Sequence, residues 1–227
     1  PAAARKTLKR YRDQPIHDGY ESKIDAVIGD RSALMGMEAL QERFPTTDML
    51  EPTVIVSPSL DELAAAHKLR ADGRVAENPT ILMNIPSVLD PTMRSQDGRH
   101  ILSLEILFTP YSLPGGWPAS DEPRRWFDVA NKFWNPAIEP ADHEWRAMTP
   151  DIYESDFHMP RGHAPSYAAS PLATLLGKSP EVSRYRSPVE GLYLSGAGTW
   201  PGAGIFGAPG RNAADAVLAD LRKTKRR

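Results

Sequence analysis

The residues best placed to do chemistry are seven glycines crowded between Gly191 and Gly210. They belong to the stretch GLYLSGAGTWPGAGIFGAPGRNAADAVLADL, which starts at Gly191. Glycine lacks a β-carbon, so a backbone rich in it turns sharply and lets a ligand approach closely. Leu192 to Ser195 in front of the glycines reads as a short buried strand. Behind them the pattern predicts a helix from about Ala208 to Leu221, with Ala214, Val217, Leu218 and Leu221 as its buried stripe. The start of such a helix offers unpaired N–H groups and partial positive charge, which suit anionic or electron-rich oxygens. Pro209 fits the first turn, where its missing N–H costs little. The bland alternative is a turn that only packs a terminal helix on a sheet. Seven glycines at this density exceed what packing needs and favour a ligand.

Within the stretch, Gly202-Ala203-Gly204-Ile205-Phe206-Gly207 matches the G-x-G-x-x-G dinucleotide fingerprint. That fingerprint needs a full βαβ unit and an acidic residue ending its second strand. No second strand follows the helix in this sequence, and Asp220 falls on the helix itself. A self-contained Rossmann site is therefore rejected.

A second cluster is Asp156-Phe157-His158-Met159-Pro160-Arg161-Gly162-His163. His163 could move a proton or orient a substrate, and Arg161 could anchor an anionic group. A surface loop with ordinary hydrogen bonds explains the same residues equally well. Zinc held by Asp156, His158 and His163 matches no established spacing, so no metal is expected. A Ser166, His163, Asp151 triad lacks the G-x-S-x-G elbow that would support it. Trp117, Trp126, Phe133 and Trp134 could line an apolar pocket, but at helical spacing such residues more often form core.

These groups must be positioned by a chain of 227 residues with ordinary globular composition, 41% hydrophobic and 25% charged. The net charge of −2 gives no drive toward nucleic acid or an anionic membrane. The basic end, Arg222 to Arg227, lacks interleaved aromatics and reads as a solvated helix terminus. No cysteine is present, which excludes disulfides, thiolate metal sites and a cysteine nucleophile. With no apolar run of transmembrane length and no signal-peptide core, the expected location is the cytoplasm. The 22 prolines imply short elements with frequent breaks.

Along the chain, Ser22 to Ile28 alternates like a half-buried strand. Met35 to Arg43 reads as a short helix and Thr53 to Val56 as a short strand. Ser59 and Glu62 form a capping box opening a helix on Leu60, Leu63, Ala64 and His67, with Gly73 as terminator. Ile81 to Ile85 predicts a strand. His100 to Phe108 predicts a strand apolar on both faces, inside a covered sheet. Asp121 to Trp134 predicts a helix with Trp126, Val129, Ala130 and Phe133 on one side. Asp151 to Pro188 is expected to be irregular.

The segment GLYLSGAGTWPGAGIFGAPGRNAA, from Gly191 to Ala214, resembles the C-terminal flavin motif of phytoene desaturase-like and related amine oxidase-superfamily flavoproteins. IPSVLDPT (Ile85–Thr92), DGRHILSLEILFTPY (Asp97–Tyr111) and SPVEGLYLSGAG (Ser187–Gly198) resemble further segments of the same superfamily. The likeness runs from about Ser22 to Leu221. It implies an α/β (α+β mixed) fold in two parts: residues 1–149 in a mixed-sheet substrate domain, residues 150–227 returning to the FAD domain. It implies FAD as cofactor and an apolar small-molecule substrate, with an oligomer allowed. The family's N-terminal Rossmann half, which holds the ADP portion of FAD, is not in this sequence. The chain thus corresponds to the second half of a longer enzyme or to one subunit of a split one. By resemblance, Gly196, Ala197 and Gly198 lie near the FAD pyrophosphate and ribityl chain. Thr199, Pro201 and Gly202 continue the cofactor-binding turn. Gly204, Ile205, Phe206 and Gly207 run along the isoalloxazine. Ala208 to Arg211 face its N1–C2=O edge. Trp200 stands where many members have histidine.

Overall fold

The computed structural model describes residues 2–13, 16–29, 33–34, 38–135, 137–163, 180–202 and 207–224. They form two compact units, one of residues 19–158 and one of residues 1–18 with 159–227. The fold is mixed, with an antiparallel sheet and several helices.

The larger unit is built on five antiparallel strands in the order β3-β4-β5-β1-β7. These are β1 (Glu21–Ile28), β3 (Val54–Val56), β4 (Ile81–Asn84), β5 (His100–Leu107) and β7 (Trp145–Met148). A separate pair joins β2 (Ala33–Leu34) to β6 (Trp134–Asn135). The alternation read from the sequence fixes β1: Ser22, Ile24, Ala26 and Ile28 point to the buried face. Ile24 lies opposite Leu104, and Ala26 opposite Leu102. Met83 of β4 completes the row against Leu104. Ser22 and Thr109 are fully buried, and their hydroxyls satisfy each other at 2.9 Å.

Over this row lies α5 (Glu122–Ala130), which buries Trp126, Phe127, Val129 and Ala130. Trp117 and Trp134 join the same core, and the Trp134 Nε1–H reaches Met83 Sδ at 3.3 Å. The aromatic set is therefore core, with one correction. The α-helix stops at Ala130, so Phe133 leaves the stripe and is 37% exposed.

The covered-sheet reading of β5 is also corrected. Leu102, Leu104 and Ile106 are fully buried on one face, while Ile101, Glu105 and Leu107 on the other are half-buried. Two apolar faces are the mark of parallel sheets sandwiched by helices. Here every pairing is antiparallel.

Helix α3 (Leu60–Ala71) opens on the expected capping box: Ser59 Oγ accepts the Glu62 N–H, and the Glu62 carboxylate accepts the Ser59 N–H. Gly73 follows at φ +71°, as a terminator should. Ala66, rather than Leu60, is the buried residue, because the inward face runs through Leu63, Ala66 and Leu69. In the same unit α2 (Glu38–Arg43) ends where the sequence predicts, and Met35, Gly36 and Met37 lie outside the described residues. Between β4 and β5, α4 (Pro86–Leu89) buries Ser87. The Ser87 hydroxyl accepts the Ile101 N–H at 3.0 Å and sits 2.9 Å from His100 Nδ1.

The stretch after Asp151 is not all irregular. Pro150 starts α6 (Pro150–Phe157), and α7 (Pro180–Arg184) begins on another proline. Proline at a helix start is pre-organised rather than disruptive.

In the smaller unit α1 (Ala2–Arg12) is tied to α7 by an Arg10–Glu181 ion pair. Its final helix, α8 (Ala208–Thr224), runs past the expected end. Its buried face is Pro209, Ala213 and Ala216, one step round from the expected stripe. Ala214 is exposed, and Leu218 and Leu221 are 48% and 55% exposed.

Candidate functional site: the glycine turn and its supports

The segment entering the glycines is not a buried strand. Leu192 is 51% exposed, and one isolated bridge, Arg186 to Tyr193, is the only strand-like pairing recorded there among the described residues. The Leu194 N–H reaches the Tyr185 carbonyl at 2.9 Å, and the Ser187 N–H reaches the Leu192 carbonyl at 3.1 Å. The entry is thus a short hairpin-like loop. A short apolar run alone does not provide a strand with neighbours.

The turn then closes on itself. The Gly196 carbonyl accepts the Thr199 N–H at 3.0 Å and the Thr199 hydroxyl at 2.8 Å. The Gly202 N–H reaches the Thr199 carbonyl at 2.7 Å. Thr199 is 2% exposed, so its side chain serves the turn from inside. Gly196 has φ +86°, a conformation that strains any residue with a β-carbon. A β-carbon built there would meet nothing within 4 Å, so the space beside it is open.

Among the described residues, the N–H groups of Gly196, Ala197 and Gly198 donate to no backbone carbonyl. Gly207, at φ +62° with open space beside it, caps α8 and accepts the Arg211 N–H at 3.1 Å. Ala208 opens the helix, and Arg211 is exposed in its first turn. Pro201 follows Trp200 in the turn. Gly204, Ile205 and Phe206 lie outside the described residues. The donor set that is described consists of neutral backbone amides plus a helix start. It fits the oxygen-bearing edge of a planar, electron-rich ring or a pyrophosphate.

What holds this turn was missed in the sequence. Tyr185 is 6% exposed and sits at φ +65°. Its hydroxyl lies 2.5 Å from the Trp200 carbonyl and accepts an N–H of Asn212 at 2.7 Å. A lone tyrosine between two arginines has no periodicity to flag it. Asp220, weighed in the sequence only as the fingerprint's acidic residue, is bound by Arg186 Nε at 2.7 Å and by the Tyr193 hydroxyl at 3.1 Å. Arg186 and Tyr193 hold the Asp220 carboxyl below the usual carboxylate range. It fastens the entry loop to α8.

The second cluster divides. Arg161, at φ +55°, pairs with Asp18, both about half exposed. The His163 ring lies 5.8 Å from that of His17, tilted 46°. Asp151 accepts the Thr149 hydroxyl at 2.5 Å in the larger unit, and Ser166 lies outside the described residues. Among the described residues no three acidic or histidine side chains converge as a metal site.

The larger unit carries another pair that sequence reasoning passed over. On the half-buried sheet face Glu21 and Glu105 are diagonal neighbours across β1 and β5. Burial, with the charge and hydrogen bond of Glu105, pushes the Glu21 carboxyl up to about 7. Burial and the same carboxylates push the Tyr153 phenol of α6 up to about 12. Glu21 was visible in the sequence, but its partner on β5 depends on register.

With this geometry in hand, similarity to known proteins is informative. No protein-family model matches the chain. It is 36% identical over 157 residues to the mouse protein named pyridine nucleotide-disulfide oxidoreductase domain-containing protein 2. The match covers 66% of this chain and 26% of the mouse protein, and the rat counterpart matches over the same shares. It is 34% identical over 120 residues, half of this chain and 23% of the relative, to hydroxyneurosporene desaturase of Cereibacter sphaeroides. Its relatives bear oxidoreductase names. The chain spans about a quarter of the length of these relatives. No described helix is long and apolar enough to cross a membrane.

Proposed function

We propose that the chain is the C-terminal part of an FAD-dependent oxidoreductase and that the turn from Gly196 to Arg211 lies against the flavin. The observation that carries this reading is the open, positive-φ Gly196, beside amides that among the described residues donate to no backbone carbonyl, set before the start of α8. The names of the relatives point the same way.

FAD, when bound, supplies the redox chemistry by taking hydride from an apolar substrate at N5. The chain's own work is positioning and electrostatics. The amides of Gly196, Ala197 and Gly198 hold the pyrophosphate and ribityl region. The start of α8, from Ala208 to Arg211, would face the flavin N1–C2=O edge and support negative charge there. By the resemblance, Gly204, Ile205, Phe206 and Gly207 are assigned to the ring, and Thr199, Pro201 and Gly202 to the turn. Arg161 and His163 are assigned to substrate anchoring and proton handling. Residues 1–149 contribute the substrate domain and residues 150–227 the returning part of the FAD domain, in a cytoplasmic enzyme.

The partner is a Rossmann half, on the same longer chain or on a second subunit. Leu192, Leu218 and Leu221 expose about half of their surface, as suits a face that another segment covers. The same exposed face supports a second reading, a non-catalytic partner-binding subunit. FAD titration separates them. The chain alone is expected to bind FAD weakly or not at all, and the chain joined to its Rossmann half to bind it stoichiometrically. Tight binding by the chain alone refutes the need for a partner. A joined protein that takes up no flavin refutes the enzyme reading and leaves the binding module.

A further inference from the structure

We propose that Tyr185 is the positioning residue of the glycine turn, its hydroxyl fixing where the turn stands relative to the start of α8. This rests on the flavin reading above and names the device that makes two flavin-facing features act together.

The backbone is the first clue. Tyr185 follows directly on α7 and adopts φ +65°. That is the position after a helix where glycine is normally found, because a bulky side chain is strained there. Glycine would supply the backbone bend without strain, and would still offer its carbonyl to the Leu194 N–H. What glycine cannot supply is the hydroxyl. A strained residue held by its surroundings points to a use for its side chain.

The hydroxyl has one proton and accepts through its lone pairs. Asn212 Nδ2, in the second turn of α8, donates to it at 2.7 Å. Its own proton is thereby directed to the Trp200 carbonyl, 2.5 Å away. The other side of Trp200 is held too, since its N–H reaches the Val182 carbonyl of α7 at 2.9 Å. One residue of the turn is gripped at both its N–H and its C=O. The sequence of contacts runs α8, Asn212, Tyr185, Trp200. Downstream of Trp200 is the Gly202 bond to Thr199, and upstream is the Thr199 bond to Gly196. A shift of the Trp200 carbonyl therefore moves the amides proposed to hold the cofactor. Ligand-contacting groups must keep their spacing to a fraction of an ångström to act jointly.

The test uses the chain joined to its Rossmann half and compares wild type with Tyr185→Phe and Asn212→Ala. Three quantities are read: the Kd for FAD, the flavin midpoint potential, and hydrogen exchange of peptides covering residues 194–202. Tyr185→Phe is expected to weaken FAD binding roughly tenfold, the effect of one lost buried hydrogen bond. It should also lower the potential, because charge at the flavin N1–C2=O edge loses part of its support, and speed exchange in the turn. Asn212→Ala should move all three the same way by less. A purely structural tyrosine would lower the melting temperature and leave the potential unchanged, which overturns the proposal. Should Tyr185→Phe fail to fold, an unchanged potential in Asn212→Ala overturns it equally. Wild-type protein that takes up no FAD defeats the flavin reading and this proposal with it. Wild type that binds FAD beside variants that bind it equally well defeats the proposal alone.

Discussion

The two units of this chain are held together by different kinds of force. The larger one buries its own apolar residues: Ile24, Leu102, Leu104, Ile106 and Trp126 are all fully inaccessible. The smaller one has a buried cluster of Tyr185, Ala213 and Ala216, with Tyr193 packed beside it. Leu192, Leu218 and Leu221 face outward, and polar ties through Tyr185, Arg186 and Asp220 give it shape. A unit stabilised by burial keeps its form by itself. A unit stabilised by hydrogen bonds around an open glycine turn leaves apolar side chains and backbone amides at its surface.

The comparison can be broken at several points, and the largest effect belongs to Trp126. Trp126→Ala should cost the larger unit about 3–5 kcal/mol, measured by urea denaturation. Hydrogen exchange in α8 should stay as it was. A loss of protection in α8 of the same size would show that the smaller unit draws its stability from the larger core.

Gly196→Val comes next. It places a β-branched residue at φ +86° and fills the open space beside the turn. FAD affinity of the joined protein should fall at least about tenfold, with the denaturation midpoint of the larger unit unchanged. Retained affinity would mean that the turn does not approach the cofactor.

The smallest effect is a pH slope in the larger unit. Glu21 has its folded pKa raised from 4.5 to about 7, so the folded state holds its proton more tightly than the unfolded chain. Its stabilising contribution is complete below about pH 4.5 and is lost as pH rises through about 7. Lys23, Asp25, Arg146, Tyr20 and Tyr153 lie around the pair; burial and the nearby carboxylates raise both phenols, so they stay neutral through that window. Glu21→Gln should flatten the slope between pH 5 and 8 in thermal melts. A slope of unchanged steepness would assign the proton elsewhere.

Local signals in the sequence were reliable where the physics is local. The capping box at Ser59 and Glu62, the alternation along β1 and the terminator at Gly73 each depend on residues within a few positions. The failures needed distant information. The second face of β5 depends on what lies across the sheet. The rotation of α8 depends on which side Tyr185 occupies, and Ala213 and Ala216 are too small to outweigh Leu218 and Leu221 in a hydrophobic pattern. Prolines looked like breaks, although Pro150 and Pro180 each begin a helix. At the site, glycine composition exposed the turn, while the tyrosine and asparagine that clamp it are ordinary residues joined across 27 positions.

The sheet order also has a bearing on how the chain survives its own synthesis. The outer strand β3 has three residues, and Pro52 and Pro58 bracket it. Ile55 of that strand is 61% exposed, which would otherwise invite edge-to-edge aggregation. Prolines cannot extend the hydrogen-bonding ladder, so a passing chain finds too short a template to add to.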